Sequence, residues 1–189
     1  MSMIGNLTRI PEHVRVALHT DPERITVLLY PEIVEEKKPG FFSRLFGKRR
    51  DGAPTPDQPP HTLGPDDSID LDKTWHALQF LFTGTAWEGD FPACFLVNSG
   101  QTVGDVDVGY GPARSFTPIQ TKEIAQYLDT LEHAALKERY DCKKMLALEI
   151  YPQHWTDEDR DYLEDGLEKA TRFVRETAEK DMALLVYIN

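Results

Sequence analysis

Cysteine is almost absent: the 189 residues hold two, Cys94 and Cys142, and neither stands at metal or redox spacing from a partner. A disulfide framework is thereby excluded. The two can still pair with each other, and a reduced, cytosolic setting is the simpler reading. No run of about 18 apolar residues occurs, so no segment is long and apolar enough for a membrane-spanning helix. The N-terminus lacks a basic region followed by an apolar core of about seven residues, so no signal peptide is expected and the protein reads as cytoplasmic. Of the histidines none forms a His-Glu-x-x-His helix; His13, His19, His61, His133 and His154 are scattered. No metal and no cofactor is expected. A dinucleotide fingerprint is missing too. Gly104, Gly109 and Gly111 are followed by Pro112 rather than directly by a helix, which makes them turn glycines. Nearby Asp105 and Asp107 share one face of a strand but have no third ligand in view, so they read as solvated acids rather than a cation site. There is no internal repeat.

Acid, by contrast, is plentiful. The formal charge is −11, and the six basic residues between positions 37 and 50 have no acid among them, so the remainder carries −17. Phosphates are repelled by such a body almost everywhere, and duplex nucleic acid is not an expected ligand. A basic protein partner is, because charge of this sign steers its encounter. With 40% hydrophobic residues the chain is an ordinary globular one, of a length that suits one domain of about 100–200 residues. Nothing in the pattern fixes an oligomeric state.

Along the chain, residues 3–10 roughly alternate and read as a first strand. Pro11 opens a short helix with Val14, Ala17 and Leu18 on one side, and Asp21-Pro22 starts a second with Ile25, Leu28 and Leu29 turned inward. A compositional break follows. Phe41, Phe42, Leu45 and Phe46 are interleaved with Arg44 and Lys48, and five prolines then fall between Gly52 and Pro65. Such a stretch sustains neither helix nor central strand, so 37–66 reads as an insertion or mobile loop. Phe41, Phe42, Arg44, Phe46 and Lys48 suit contact with an anionic membrane or a partner groove. Folding back onto the acidic body is the preferred alternative, and membrane contact the weaker one. Residues 93–97 suit a buried strand or a helical turn, and 103–110 a strand or ordered loop. Thr117-Pro118-Ile119-Gln120 is a capping box with Pro at the first helical position. Its helix, carrying Ile124, Leu128, Leu131 and Ala135, is expected to end near Tyr140. Asp141 begins a short piece with Met145 and Leu148. A long amphipathic helix follows the acidic start at 156–159, and 184–188 closes the chain as a buried strand, placed beside the first.

The densest stretch is 70–84. Read as a helix, it places Leu71, Thr74, Trp75, Leu78, Leu81 and Phe82 on one broad apolar face. Asp70 is the expected cap and Gly84 the stop. Asp72 and His76 then stand one turn apart with Gln79 beside them. A carboxylate so placed fixes an imidazole's tautomer and raises its basicity, as a general base requires. It also makes a routine helix-surface pair, and this structural reading is favoured over the functional one. Tyr110 and Arg114 flank a bend that can wall a pocket against this helix. The candidate pocket is therefore Asp72, His76, Gln79, Tyr110 and Arg114, with Trp75 assigned to the core.

Met3-Ile4-Gly5, the central Leu71-Asp72-Lys73-Thr74-Trp75-His76-Ala77-Leu78 with Leu81-Phe82-Thr83-Gly84, Gly111-Pro112-Ala113-Arg114, and Ile150-Tyr151-Pro152 with Trp155 resemble the bacterial YfbM-like family. The resemblance spans the chain outside 37–66. It implies one α+β domain of bacterial or phage origin, in a family of unknown function, and so brings no catalytic residues. The expected architecture is a central amphipathic helix and C-terminal helices packed on a small sheet that includes the N- and C-terminal strands. The expected function is a non-enzymatic binding or interaction module, with an immunity, defence or regulatory role fitting it. The alternative is a small hydrolase or transferase using His76 as base, Asp72 as orienter and Arg114 to hold an anion.

Overall fold

The last strand, β5 (Ala183–Ile188), is apolar at every position from Ala183 to Ile188 because both of its faces are covered. A strand buried on two sides loses the usual alternation. In the computed structural model, which describes residues 2–31, 61–131 and 138–189, β5 is the middle of a five-stranded sheet. β1 (Gly5–Ile10), β2 (Ser68–Asp70), β3 (Gln101–Asp107) and β4 (Pro112–Phe116) complete it in the order β2-β1-β5-β4-β3. All four pairings are antiparallel. The N- and C-terminal strands are neighbours, with Leu7 opposite Val186 and Ile10 opposite Ala183.

The two faces carry separate cores. On one, α1 (Glu12–Thr20) and α2 (Arg24–Leu29) lay Val14, Leu18, Ile25 and Leu28 over Ile10, Ala183, Leu185 and Tyr187. On the other, Leu7, Phe116, Leu184 and Val186 meet α3 (Thr74–Thr83), α4 (Pro118–Thr130), α5 (Cys142–Ala147) and α6 (Arg160–Glu179). The capping box at Thr117 and Gln120 forms as the sequence requires. However, α4 ends at Thr130, ten residues before the expected stop, where Leu131 is already extended. Residues 93–97 form helical turns rather than a strand.

The central segment is interior but shorter than its periodicity suggests. Asp70 does not cap a helix; it closes β2, paired with Asn6 of β1. Leu71 still bonds β1 through Gly5, and Asp72 adopts a left-handed backbone with φ 45°. Only at Thr74, whose hydroxyl donates to the Leu71 carbonyl at 2.6 Å, does α3 begin. From Thr74 to Phe82 every residue is buried. The apolar stripe was therefore legible, but the first turn assigned to it belongs to the sheet. The insertion residues Phe41, Phe42, Arg44, Phe46 and Lys48 lie outside the described residues.

Candidate functional site

His76 is 1% exposed, and both of its ring nitrogens are occupied. Nδ1 accepts the Tyr151 N–H at 3.0 Å, so the proton of the neutral ring sits on Nε2, which is 3.0 Å from the Ala86 carbonyl and donates to it. The ring lies flat on Trp75, at 4.8 Å and 9°, with Trp87 on it at 4.2 Å. Burial holds its pKa down at about 4 although the Ala86 bond opposes this. A protonated Nδ1 would also forfeit the Tyr151 bond.

Asp72 does not orient this ring. Its carboxylate accepts from the Tyr162 hydroxyl at 2.8 Å, across to α6, and the Lys73 N–H donates to the same hydroxyl oxygen. Burial and the Asp72 carboxylate push Tyr162 up to about 12 and keep it a donor. The one-turn spacing failed because residue 72 precedes the helix, and a side chain there does not stack over position 76. Gln79 is also spent on backbone, its amide donating to the Glu88 carbonyl at 3.1 Å and to Thr83 Oγ1 at 3.3 Å. His76 and Gln79 thus hold the same segment, 84–90, onto α3.

Arg114 and Tyr110 stand apart from this cluster. The Arg114 guanidinium donates to the carbonyls of Phe95 and Leu96, buried in the last of the 91–98 turns, and of Ser99 just beyond them. Burial lowers its pKa to about 10, which still leaves it charged at neutral pH. It works as a C-terminal cap rather than an anion receptor. Arg114→Lys is expected to lose at least part of this fork and to cost about 1–3 kcal/mol in urea unfolding. Tyr110 sits half-exposed in the β3–β4 turn, where its N–H bonds Ile188 and Asp107 accepts from the N–H groups of Gly109 and Gly111. Those bonds hold Asp107 below its ordinary pKa, giving it a turn role. The five candidates therefore do not converge on one pocket.

A cleft of about 420 Å³ lies between β2 and α6, lined by Arg9, Ser68, Lys169, Arg172, Phe173 and Glu176 among others, and it contains none of the five. Arg9, buried at its wall, is neutralised by Asp67 at 3.1 Å and Glu176 at 3.3 Å and lies over the Phe173 ring. Among the described residues no three His, Cys, Asp or Glu side chains are grouped to hold a metal, and no helix is long and apolar enough to cross a membrane.

Two features escaped sequence reasoning. Trp87 is 54% exposed on the segment that His76 and Gln79 clamp. Its only sequence signal is an indole among Gly84, Glu88, Gly89 and Asp90. The second is Tyr151, whose N–H fixes the His76 tautomer from 75 residues away.

These elements define a single-domain α+β protein in which helices cover both faces of an antiparallel sheet and the polar groups of the central helix serve the backbone around it. The chain belongs to the family described as Domain of unknown function (DUF1877), which it matches over residues 1–187. Its fold is similar to the crystal structure of YfbM from Escherichia coli, a protein of unknown function, with a TM-score of 0.63 at 17% identity over 98% of this chain and 99% of that one. No curated protein matches it. The family and fold expected from the YfbM-like resemblance are thus both met.

Proposed function

We propose that this chain is a cytoplasmic, non-enzymatic binding module whose acidic surface docks a basic protein partner. The observation that carries this reading is the carboxylate array at the start of α6. Glu158, Asp161, Asp165 and Glu168 are exposed, and none is ion-paired among the described residues. Within the helix, Asp161, Asp165 and Glu168 fall at i, i+4 and i+7, one stripe of a surface. Asp161 and Asp165 repel across one turn, a cost of about 0.2–0.5 kcal/mol that a cationic partner removes. The alternative of a hydrolase or transferase at Asp72 and His76 has no geometric support, because His76 has no free nitrogen and Asp72 serves Tyr162.

The double substitution Asp161→Lys/Asp165→Lys separates docking from folding. Its unfolding free energy is expected to fall by no more than about 1 kcal/mol, because a lysine at 161 gives up a favourable carboxylate position in the first turn of α6 and the two lysines still repel across one turn. Affinity capture at low salt is expected to return a basic protein with the unmodified chain, to release it at high salt, and to lose it with the variant. The same captured set with both proteins, or none at either salt, would reject the reading.

A further inference from the structure

The segment 84–90 is unusually well secured for a surface connection. The Ala86 carbonyl is held by His76, the Glu88 carbonyl by both Gln79 and the Thr85 hydroxyl, and the Thr85 N–H by Thr83. Gly89, at φ 140°, lies so close to α3 that a Cβ there would stand 2.7 Å from Thr83 Cγ2. Burying a histidine and a glutamine to satisfy loop carbonyls costs more than an apolar helix face would, and the Gln79 Oε1 is left buried without a partner. What the arrangement produces is a fixed indole at the surface. Trp87 rests on His76, His76 on Trp75, and Trp75 on Tyr151 at 6.1 Å. The Tyr151 carbonyl in turn accepts from Trp155, which stacks on Tyr162 at the start of α6. An aromatic layer of four rings thus supports this loop, and a hydrogen bond to the Tyr151 main chain links it to the Trp155–Tyr162 pair at the acidic end of α6.

We infer that Trp87, with Glu88 and Asp90, is a docking site for a cationic side chain, arginine or lysine, of a basic protein partner. The inference rests on the reading of the chain as a module for such a partner and assigns it a contact. An immobilised indole attracts a guanidinium or ammonium group over its face. Glu88 and Asp90 are exposed on the same segment and have no ion pair among the described residues, which supplies the complementary charge. Because the loop is already fixed by α3, little ordering entropy opposes binding, and tryptophan in such a setting is a frequent hot spot. His76 and Gln79 are positioning residues for this contact.

The test is titration of the full chain with tetra-arginine peptide, followed by the NMR signals of the indole N–H groups and assigned with Trp87→Phe. Saturable movement of the Trp87 signal is expected, with affinity weakened at least about threefold in Trp87→Ala. Weakening is also expected in Glu88→Gln/Asp90→Asn, which leaves the aromatic layer intact and controls for misfolding. Peptide binding unchanged in both variants but reduced in Asp161→Lys/Asp165→Lys overturns the Trp87 site while leaving the acidic-surface reading standing. Absence of binding to any form overturns the site, and the failure of lysate capture as well removes the reading beneath it.

Discussion

Trp75→Ala is expected to lower the unfolding free energy by about 3–5 kcal/mol, the range for truncating a large aromatic side chain in a packed core. Trp75 is 1% exposed, and its indole N–H reaches the Met3 carbonyl at 3.3 Å, which ties α3 to the chain entering β1. The fit is tight from the opposite side as well. A Cβ on Gly5 would fall inside contact distance of Trp75 Cβ and 2.7 Å from its Cγ. Gly5→Ala should therefore also destabilise, by about 1–3 kcal/mol, through overpacking. The two substitutions touch one contact and will not add. Urea unfolding monitored by far-UV circular dichroism measures both; a loss below about 1 kcal/mol for Trp75→Ala would show that α3 is not the centre of the core.

The second large effect belongs to His76. His76→Leu keeps an apolar body in the site but leaves the Tyr151 N–H and the Ala86 carbonyl without their partner. Two orphaned main-chain groups are expected to cost about 2–5 kcal/mol at neutral pH. The cost should shrink in acid. The folded ring titrates at about 4 and the unfolded one near 6.5, so the unfolded state binds more protons as pH falls between those values. Stability contributed by the neutral ring is complete above pH 6.5 and is lost as pH approaches about 4, a change of about 2–3 kcal/mol. The variant lacks this component. The gap between the two stability profiles should therefore close toward pH 4, and parallel profiles would mean that the ring is not held neutral in the fold.

Both predictions concern one helix, and it marks how far the sequence could be read. The apolar stripe of Trp75, Leu78, Leu81 and Phe82 is a local pattern, and α3 buries all four. The capping box at Thr117, the short helix begun at Asp141 and the apolar run of β5 are equally local, and all appear where expected. The start of α3 was misread because Asp70, Leu71 and Asp72 carry helix-compatible side chains while their backbone groups are claimed by β1. A cap residue competes poorly with an available strand edge.

The resemblance to the YfbM-like family implied the α+β class, and only the sheet made neighbours of the two terminal strands; the sequence by itself determined the buried central segment, the capping box and the acidic balance of the chain. Those follow from periodicity, caps and charge counts, each set within a few neighbouring residues. The tertiary structure alone decided what the polar groups do. Asp72 answers Tyr162, His76 answers Tyr151 and Ala86, and Arg114 answers the carbonyls at 95, 96 and 99. A buried donor or acceptor takes whichever partner packing brings within about 3 Å. That partner stands ten to ninety residues away in each case, where no local pattern reaches.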